Sequence, residues 1–278
     1  MIEKTEAIVL RTAPFSNTSR IVTWLTPAFG KVTTILKGAC RPKSLFLGQY
    51  DLFYTCELLF YSRDRNGIHV CRECSPISAR PSLRRNWKSA FLASYACGLT
   101  EQTVTEKEPH PAIYRHLSSA LDCLAERPER LFIPWFETGL MRLAGVGPQL
   151  GRCAVCGSDT APDLNRMYNF SFSRGGILCR DCAARDRMRA EGFALAGTRK
   201  SEPRPPGSTL IPAPILNLLR NRLTAATPAL YSIPRGYEKS AFDFTRRFGM
   251  FLAYHLGLRV RGREFALQIC NTLKNPRN

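Results

Sequence analysis

The chain has 278 residues, 44% of them hydrophobic and 22% charged, which is enough for one large or two ordinary packed domains and too apolar for a disordered chain. Forty Lys and Arg against 22 Asp and Glu leave a formal charge of +18, an excess that asks for a polyanionic partner and disfavours an enzyme for neutral metabolites. No run approaches the ~20 apolar residues of a bilayer span. The start, Met1-Ile-Glu-Lys-Thr-Glu, lacks the basic and apolar regions of an export signal, so a cytoplasmic protein is expected.

The first eighty residues read as strands. Glu6–Arg11 and Ser19–Thr26 are short β-branched runs, Pro27-Ala-Phe-Gly30 is a turn, and Lys31–Lys37 follows as a third strand. Gln49–Phe60 is a long apolar and aromatic fourth run, and Asp64-Arg-Asn-Gly67 turns the chain into a fifth strand, Ile68–Cys74. Five strands predict a small closed barrel, of OB type or, on strand count alone, SH3-like. After Pro81 the hydrophobic period changes from two to about 3.6. Leu83, Trp87, Ala90, Phe91 and Leu99 mark one helical face, and Ile113, Leu117, Leu121 and Leu124 a second. Leu131, Phe132, Trp135, Phe136, Leu140 and Leu143 mark a third, stopped by Gly145. A Pro/Gly-rich loop from Arg199 to Ser208 and two amphipathic helices, Ala213–Thr224 and Ser240–Gly257, follow. The expected fold is α+β: a five-stranded barrel over 1–80, then a helical domain over 81–278 with an insertion at about 150–185.

That insertion carries Cys153-Ala-Val-Cys156-Gly and Cys179-Arg-Asp-Cys182, two Cys-x-x-Cys knuckles with 22 residues between them. Four thiolates so spaced suit one tetrahedral Zn²⁺, and a closed four-sulfur site leaves no position for water, so its role is structural. Cys71-Arg-Glu-Cys74 is a third such pair, but on a strand residues three apart point to opposite faces, and it reads as core. The four histidines have no nucleophile beside them, and phosphate-loop, dinucleotide and zinc-protease motifs are missing. A binding protein fits better than an enzyme.

The charge divides as +5 over residues 1–80, +2 over 81–152 and +11 over 153–278. In an OB barrel, nucleic acid crosses strands two and three and the loops beside them. Arg20, Lys31 and Lys37 on those strands, Arg41 and Lys43 after them, and Arg63 and Arg65 in the last loop gather cations there. Trp24, Phe29 and Tyr61 are the candidates to stack bases. The same barrel and cations would also serve a zinc-ribbon RNA-binding or transcription-associated module. An acidic membrane surface is disfavoured because no helix pairs a dense basic face with a broad apolar one.

Several segments, in order along nearly the whole chain, resemble the RecO family of bacterial recombination mediators. They are Ala7-Ile-Val-Leu-Arg11 with Ser16-Asn-Thr-Ser-Arg-Ile-Val-Thr-Trp-Leu-Thr26, then Gly30-Lys31, and Lys37-Gly-Ala-Cys-Arg-Pro-Lys-Ser44. Phe136-Glu-Thr-Gly-Leu-Met-Arg-Leu-Ala-Gly-Val-Gly-Pro148, Phe170-Ser-Phe-Ser-Arg-Gly-Gly176 and Arg259-Val-Arg-Gly-Arg-Glu-Phe265 continue the match. Asn17 stands where an acidic residue is usual, and Cys40 where a small or basic one is. The resemblance implies an OB-fold domain and a helical domain with a zinc finger. It implies binding of single- and double-stranded DNA, annealing of complementary strands, and assistance with RecR in loading RecA, at the nucleoid. By motif, Lys37 and Arg41 are the implied DNA contacts. The acidic tail of single-strand-binding protein is an implied partner, for which Arg220, Arg222, Arg246 and Arg247, beside Leu219, Phe248 and Leu252, are the candidate residues.

Overall fold

β1 (Ile2–Pro14) is long enough to serve two partners, and a bulge between Val9 and Arg11 is where it changes allegiance. Its first half pairs with β4 (Thr55–Tyr61), from Ile2 opposite Tyr61 to Ile8 opposite Thr55. Its second half pairs with β2 (Arg20–Thr26), ending with Pro14 opposite Arg20. The extra residue of a bulge sharpens the local twist, which lets one strand belong to both sides of a closed sheet. β3 (Gly30–Leu36) and β5 (Ile68–Ser78) complete the order β1-β2-β3-β5-β4, closed back onto β1. Thr33 to Ile35 run parallel to Ile68 to Val70, and all other pairings are antiparallel. This is an OB-type barrel, not an SH3-like one. The computed structural model describes residues 1–62, 67–160, 166–195, 207–222, 233–257 and 261–273, with only the backbone described for 189–195 and 222.

The fourth strand is shorter than the apolar run predicts, Thr55–Tyr61 in place of Gln49–Phe60. Phe53 breaks it: its φ of 72° is a left-handed conformation that no strand continues through. The barrel interior is filled by Ala7, Val9, Val22, Trp24, Val32, Leu36, Leu58 and Phe60, each large side chain contributing about 1.5–3 kcal/mol by its burial.

On the outside of β1 and β2, Ile8, Leu10 and Leu25 are buried as well. α2 (Trp87–Thr103) packs against β1 and α3 (Pro111–Glu126) against β2. α1 (Ser82–Arg85) is a single turn, and Asn86 between it and α2 is extended, its side chain accepting from the backbone N–H groups of Lys88 and Ser89. That cap starts a new helix. Leu83 and Trp87 therefore do not share the face their spacing predicts: Leu83 is buried and Trp87 is 60% exposed.

Arg80 ties barrel to helices. Its guanidinium donates to the Phe53 carbonyl at 2.8 Å, Thr55 Oγ1 at 2.9 Å, Asp122 at 2.6 Å and Ser118 Oγ at 3.1 Å. A buried cation needs such partners on every side. The first compact unit runs from Met1 to Glu129, with α2 and α3 packed on the barrel of the first eighty residues.

The second unit, Arg130–Asn278, is described by itself. It contains α4 (Phe132–Leu143), β6 (Met167–Ser171), β7 (Gly176–Leu178) and α5 (Arg180–Leu195). β8 (Ser208–Pro212), α6 (Ala213–Arg222), α7 (Glu238–Leu256) and α8 (Arg263–Thr272) follow. A helical domain was expected, but it is built on a three-stranded sheet in the order β7-β6-β8. Phe170 and Phe172, from β6 and the turn after it, meet Phe244, Phe248 and Phe251 of α7, with the last two rings stacked at 4.9 Å.

Glu137 of α4 is fully buried and pairs bidentately with Arg263, both N–O distances 2.7 Å. The same guanidinium donates to the carbonyls of Thr245 and Arg246. A Cβ at Gly249 would lie 2.8 Å from Arg263 Nη1, so this glycine leaves the room through which the arginine reaches.

Candidate metal centre and nucleic-acid interface

Cys153, Cys156, Cys179 and Cys182 come together as the spacing requires. Their four sulfurs lie within 4.8 Å of one another, and those of Cys156 and Cys179 are 3.7 Å apart. For metal–sulfur bonds of about 2.3 Å, the edge of a tetrahedron is about 3.8 Å, so this donor set fits a tetrahedral ion. The first knuckle is a tight turn: Gly157, at φ 72°, donates to the Cys153 carbonyl, and Cys153 N–H to Ser158 O. Ala154 N–H bonds Ile177 O, which fixes that turn to β7, and the second knuckle leads into α5, so Cys182 sits in its first turn. A helix N-terminus favours thiolates.

Hydrogen bonds from Ser158, the hydroxyl first and the backbone second, lower the Cys156 thiol to about 6. At Cys153 burial acts the other way, but hydrogen bonds from the backbone of Cys156, Cys179 and Val155 leave it lowered. Burial pushes Cys182 up to about 12, with Arg185 working against it. Arg185 donates to the Cys182 sulfur at 3.2 Å and would offset part of the negative charge of a four-thiolate site.

Cys71 and Cys74 behave differently from the alternation argument, although both are core. A second bulge, where Leu59 faces Glu73 and Phe60 faces Cys71, inserts one residue and turns both thiols inward. Cys71 is pushed far up by its hydrogen bond with Cys74 and by burial. Packed among the barrel's core side chains, neither sulfur is open to a metal ion or a substrate.

The barrel's basic residues fall into two groups. Arg20 pairs with Leu36 and Thr26 with Gly30, so the two ends of the β2–β3 hairpin lie about 20 Å apart. At the first end, Lys37, Arg41 and Lys43 are exposed and Arg20 hydrogen-bonds Tyr50. The loop that carries them is pinned to the β1–β2 turn: Cys40 N–H donates to Thr18 O at 3.0 Å, and Gly38 N–H to Ser19 Oγ at 3.3 Å. Phe15 of that turn is 58% exposed. Strand alternation does not single it out, because it lies between the two strands, after Pro14.

Lys31 lies at the other end and on the other face. Trp24 opposite Val32 points inward, so Leu25 and Lys31 point outward, and Lys31 Nζ donates to the Glu101 carbonyl of α2 at 3.2 Å. Gly30, at φ 64°, lies so close to the Glu108 carbonyl that no Cβ fits there. The Gly30-Lys31 pair thus holds the segment after α2 against the hairpin. Trp24 is fully buried with its indole N–H on Thr34 Oγ1, and Phe29 packs edge-on against Phe60. Of the three expected stacking residues, Trp24 is removed by its burial, and Tyr61, 43% exposed, stands at the far end. A cavity of about 210 Å³ there is lined by Phe29, Lys31, Phe60, His69, Glu106 and Lys107. Arg63 and Arg65 lie outside the described residues.

Arg220, Arg246 and Arg247 of the second unit do not converge on an apolar groove. Leu219, Phe248 and Leu252 belong to the core. Arg220 donates to the Leu150 carbonyl at 2.7 Å, and Arg246 pairs with Glu264 at 3.1 Å. Arg247 is exposed with a 3.3 Å contact to Thr209 Oγ1, and the Arg222 side chain lies outside the described residues. Among the described residues no helix is long and apolar enough to cross a membrane.

Residues 1–80 match the family model for the Recombination protein O N terminal, and residues 84–192 the one for its C terminal. The chain is 35% identical over 183 residues to "DNA repair protein RecO" of Desulforudis audaxviator, covering 66% of this chain and 71% of that one. The chain belongs to the RecO family. The protein of the same name from Rhodopirellula baltica is 30% identical over 83% of this chain and 90% of its own. That of Anaeromyxobacter sp. strain K is 28% identical over 96% of each. Gly30-Lys31, Glu137 and Arg263 have structural roles in this chain: a close backbone approach and a buried ion pair.

Proposed function

We propose that this RecO-family chain is a non-catalytic recombination mediator in DNA repair. In this reading it binds single- and double-stranded DNA, anneals complementary strands at the nucleoid and, with RecR, assists RecA loading. The observation that carries the reading is the barrel's basic mouth, where exposed Lys37, Arg41 and Lys43 stand on a loop clamped to the β1–β2 turn, with Phe15 beside them. Clamping the loop pre-pays ordering that a phosphate backbone would otherwise have to impose. The outer face of β1–β2 lies under α2 and α3, so a strand would enter at this mouth and not across the whole β2–β3 face. The ion at the four cysteines is one structural Zn²⁺.

The acidic tail of single-strand-binding protein fits the exposed stripe of α7, where Arg246 and Arg247 are followed at helical spacing by Met250, 41% exposed, and Tyr254, 51% exposed. Those two side chains replace the buried leucines and phenylalanine as the apolar half of the contact.

Changing Lys37 and Arg41 together to Glu removes up to two phosphate contacts and adds repulsion. For single strands the slope of log affinity against log salt should flatten by about 0.7 per lost contact, with affinity at low salt reduced at least tenfold. Fluorescence anisotropy with a labelled oligonucleotide across a salt series reads both. Unchanged slope and affinity would move the main site away from the barrel, and tighter binding of RNA than of DNA of equal length would favour an RNA-binding module.

A further inference from the structure

The chain has three tryptophans, of which Trp24 is fully buried, Trp135 is 1% exposed and Trp87 is 60% exposed. Tryptophan is rarely left so open, because it has more apolar area to bury than any other side chain. Its neighbours along the chain include three cations. α1 ends in Arg84 and Arg85, Lys88 Nζ lies 5.9 Å from the Trp87 ring, and the first turn of α2 contains no acid. The N-terminal end of this 17-residue helix adds partial positive charge. Arg84 is anchored: it pairs with Asp51 at 3.0 Å, hydrogen-bonds the Tyr54 hydroxyl and lies over that ring. Asp51 and Tyr54 belong to the segment that leads from Lys43 into β4. The corner and the basic loop are thus joined through one stretch of the first unit.

We infer that the α1–α2 corner is a second contact for single-stranded nucleic acid, with Trp87 as a stacking platform for one base and Arg85 and Lys88 as its phosphate contacts. An exposed aromatic face with cations beside it is the combination by which unpaired strands are held without sequence preference. The neighbours of Trp87 along the chain, Arg84, Arg85 and Asn86, are exposed and polar. The inference rests on the nucleic-acid reading above, yet it concerns a site outside the barrel.

The buried state of Trp24 and Trp135 makes the test specific, since quenching by a stacked base would come from Trp87. Titration of the full chain with an oligo(dT) strand, followed at once by intrinsic fluorescence and by anisotropy, should give saturable quenching that tracks binding. Trp87→Ala should remove the quenching and weaken binding about five- to hundredfold while leaving the salt slope unchanged. Trp87→Phe should restore most of the affinity. A duplex of equal length, whose bases are already stacked, should bind without quenching. Binding with no quenching and an unaltered Trp87→Ala affinity would overturn the corner and leave the barrel reading intact. Equal quenching by duplex would overturn stacking. Quenching that survives in the Lys37/Arg41 double variant at full affinity would instead uphold the corner and remove the barrel, and absence of any binding would defeat both.

Discussion

Arg263→Met should destabilise the second unit by about 3–5 kcal/mol, the loss expected when one partner of a buried ion pair is removed and the other is left uncompensated. Glu137 is fully buried, and both its carboxylate oxygens accept from Arg263 at 2.7 Å. The substitution also orphans the Thr245 and Arg246 carbonyls that the guanidinium reaches. Against a typical domain stability of about 5–15 kcal/mol the loss is a large fraction of the total. Replacing both partners, Glu137→Leu with Arg263→Met, should recover much of it, because the cost lies in the stranded charge more than in the missing attraction. Calorimetry that resolves the transitions of the two units would measure this. A loss under 1 kcal/mol in the single variant would mean the carboxylate finds another partner or water.

Stripping the metal should have the second large effect, confined to the knuckles. The small cluster there consists of Cys153, Cys182, Leu178 and Ala183, with Ala154 and Cys179 against it. Half of its buried members are the ligands themselves, so little apolar core remains once the ion is gone. Structural zinc supplies an apparent ~10–16 kcal/mol in small fingers, and that binding energy is folding energy. Cys153→Ser with Cys156→Ser should release the ion and open the region around 149–185 to protease, while the barrel's transition stays where it was. Metal analysis should find one zinc per unmutated chain; none, or a protease pattern unchanged by the substitutions, would contradict the assignment.

The features legible in the sequence were those set by local rules. Strand alternation, turn residues and the two Cys-x-x-Cys spacings depend on neighbours a few residues apart, and they located the barrel strands, α3, α4 and the four-cysteine cluster. The features that escaped depend on single-residue irregularities or on distant partners. One inserted residue opposite Phe60 turned Cys71 and Cys74 to the same side. One capping side chain, Asn86, split a helix and left Trp87 largely exposed. Lys31 looked like a groove cation because alternation fixes which residues share a face but not which face a helix will cover. The Glu137–Arg263 pair spans 126 residues, and β6 and β8 pair across a long separation, so neither leaves a periodic trace.

In the proposed function this RecO-family chain holds unpaired strands by charge and stacking and lets base pairing do the rest. Strand annealing tests it most directly, with purified protein and two complementary oligonucleotides mixed without nucleotide and in EDTA at a dose that leaves the proposed zinc bound. Annealing should be faster than the spontaneous reaction, fall steeply as salt rises and drop with the Lys37→Glu, Arg41→Glu double variant. An absolute requirement for ATP hydrolysis, or an unchanged annealing rate in that variant at every salt concentration, would contradict it.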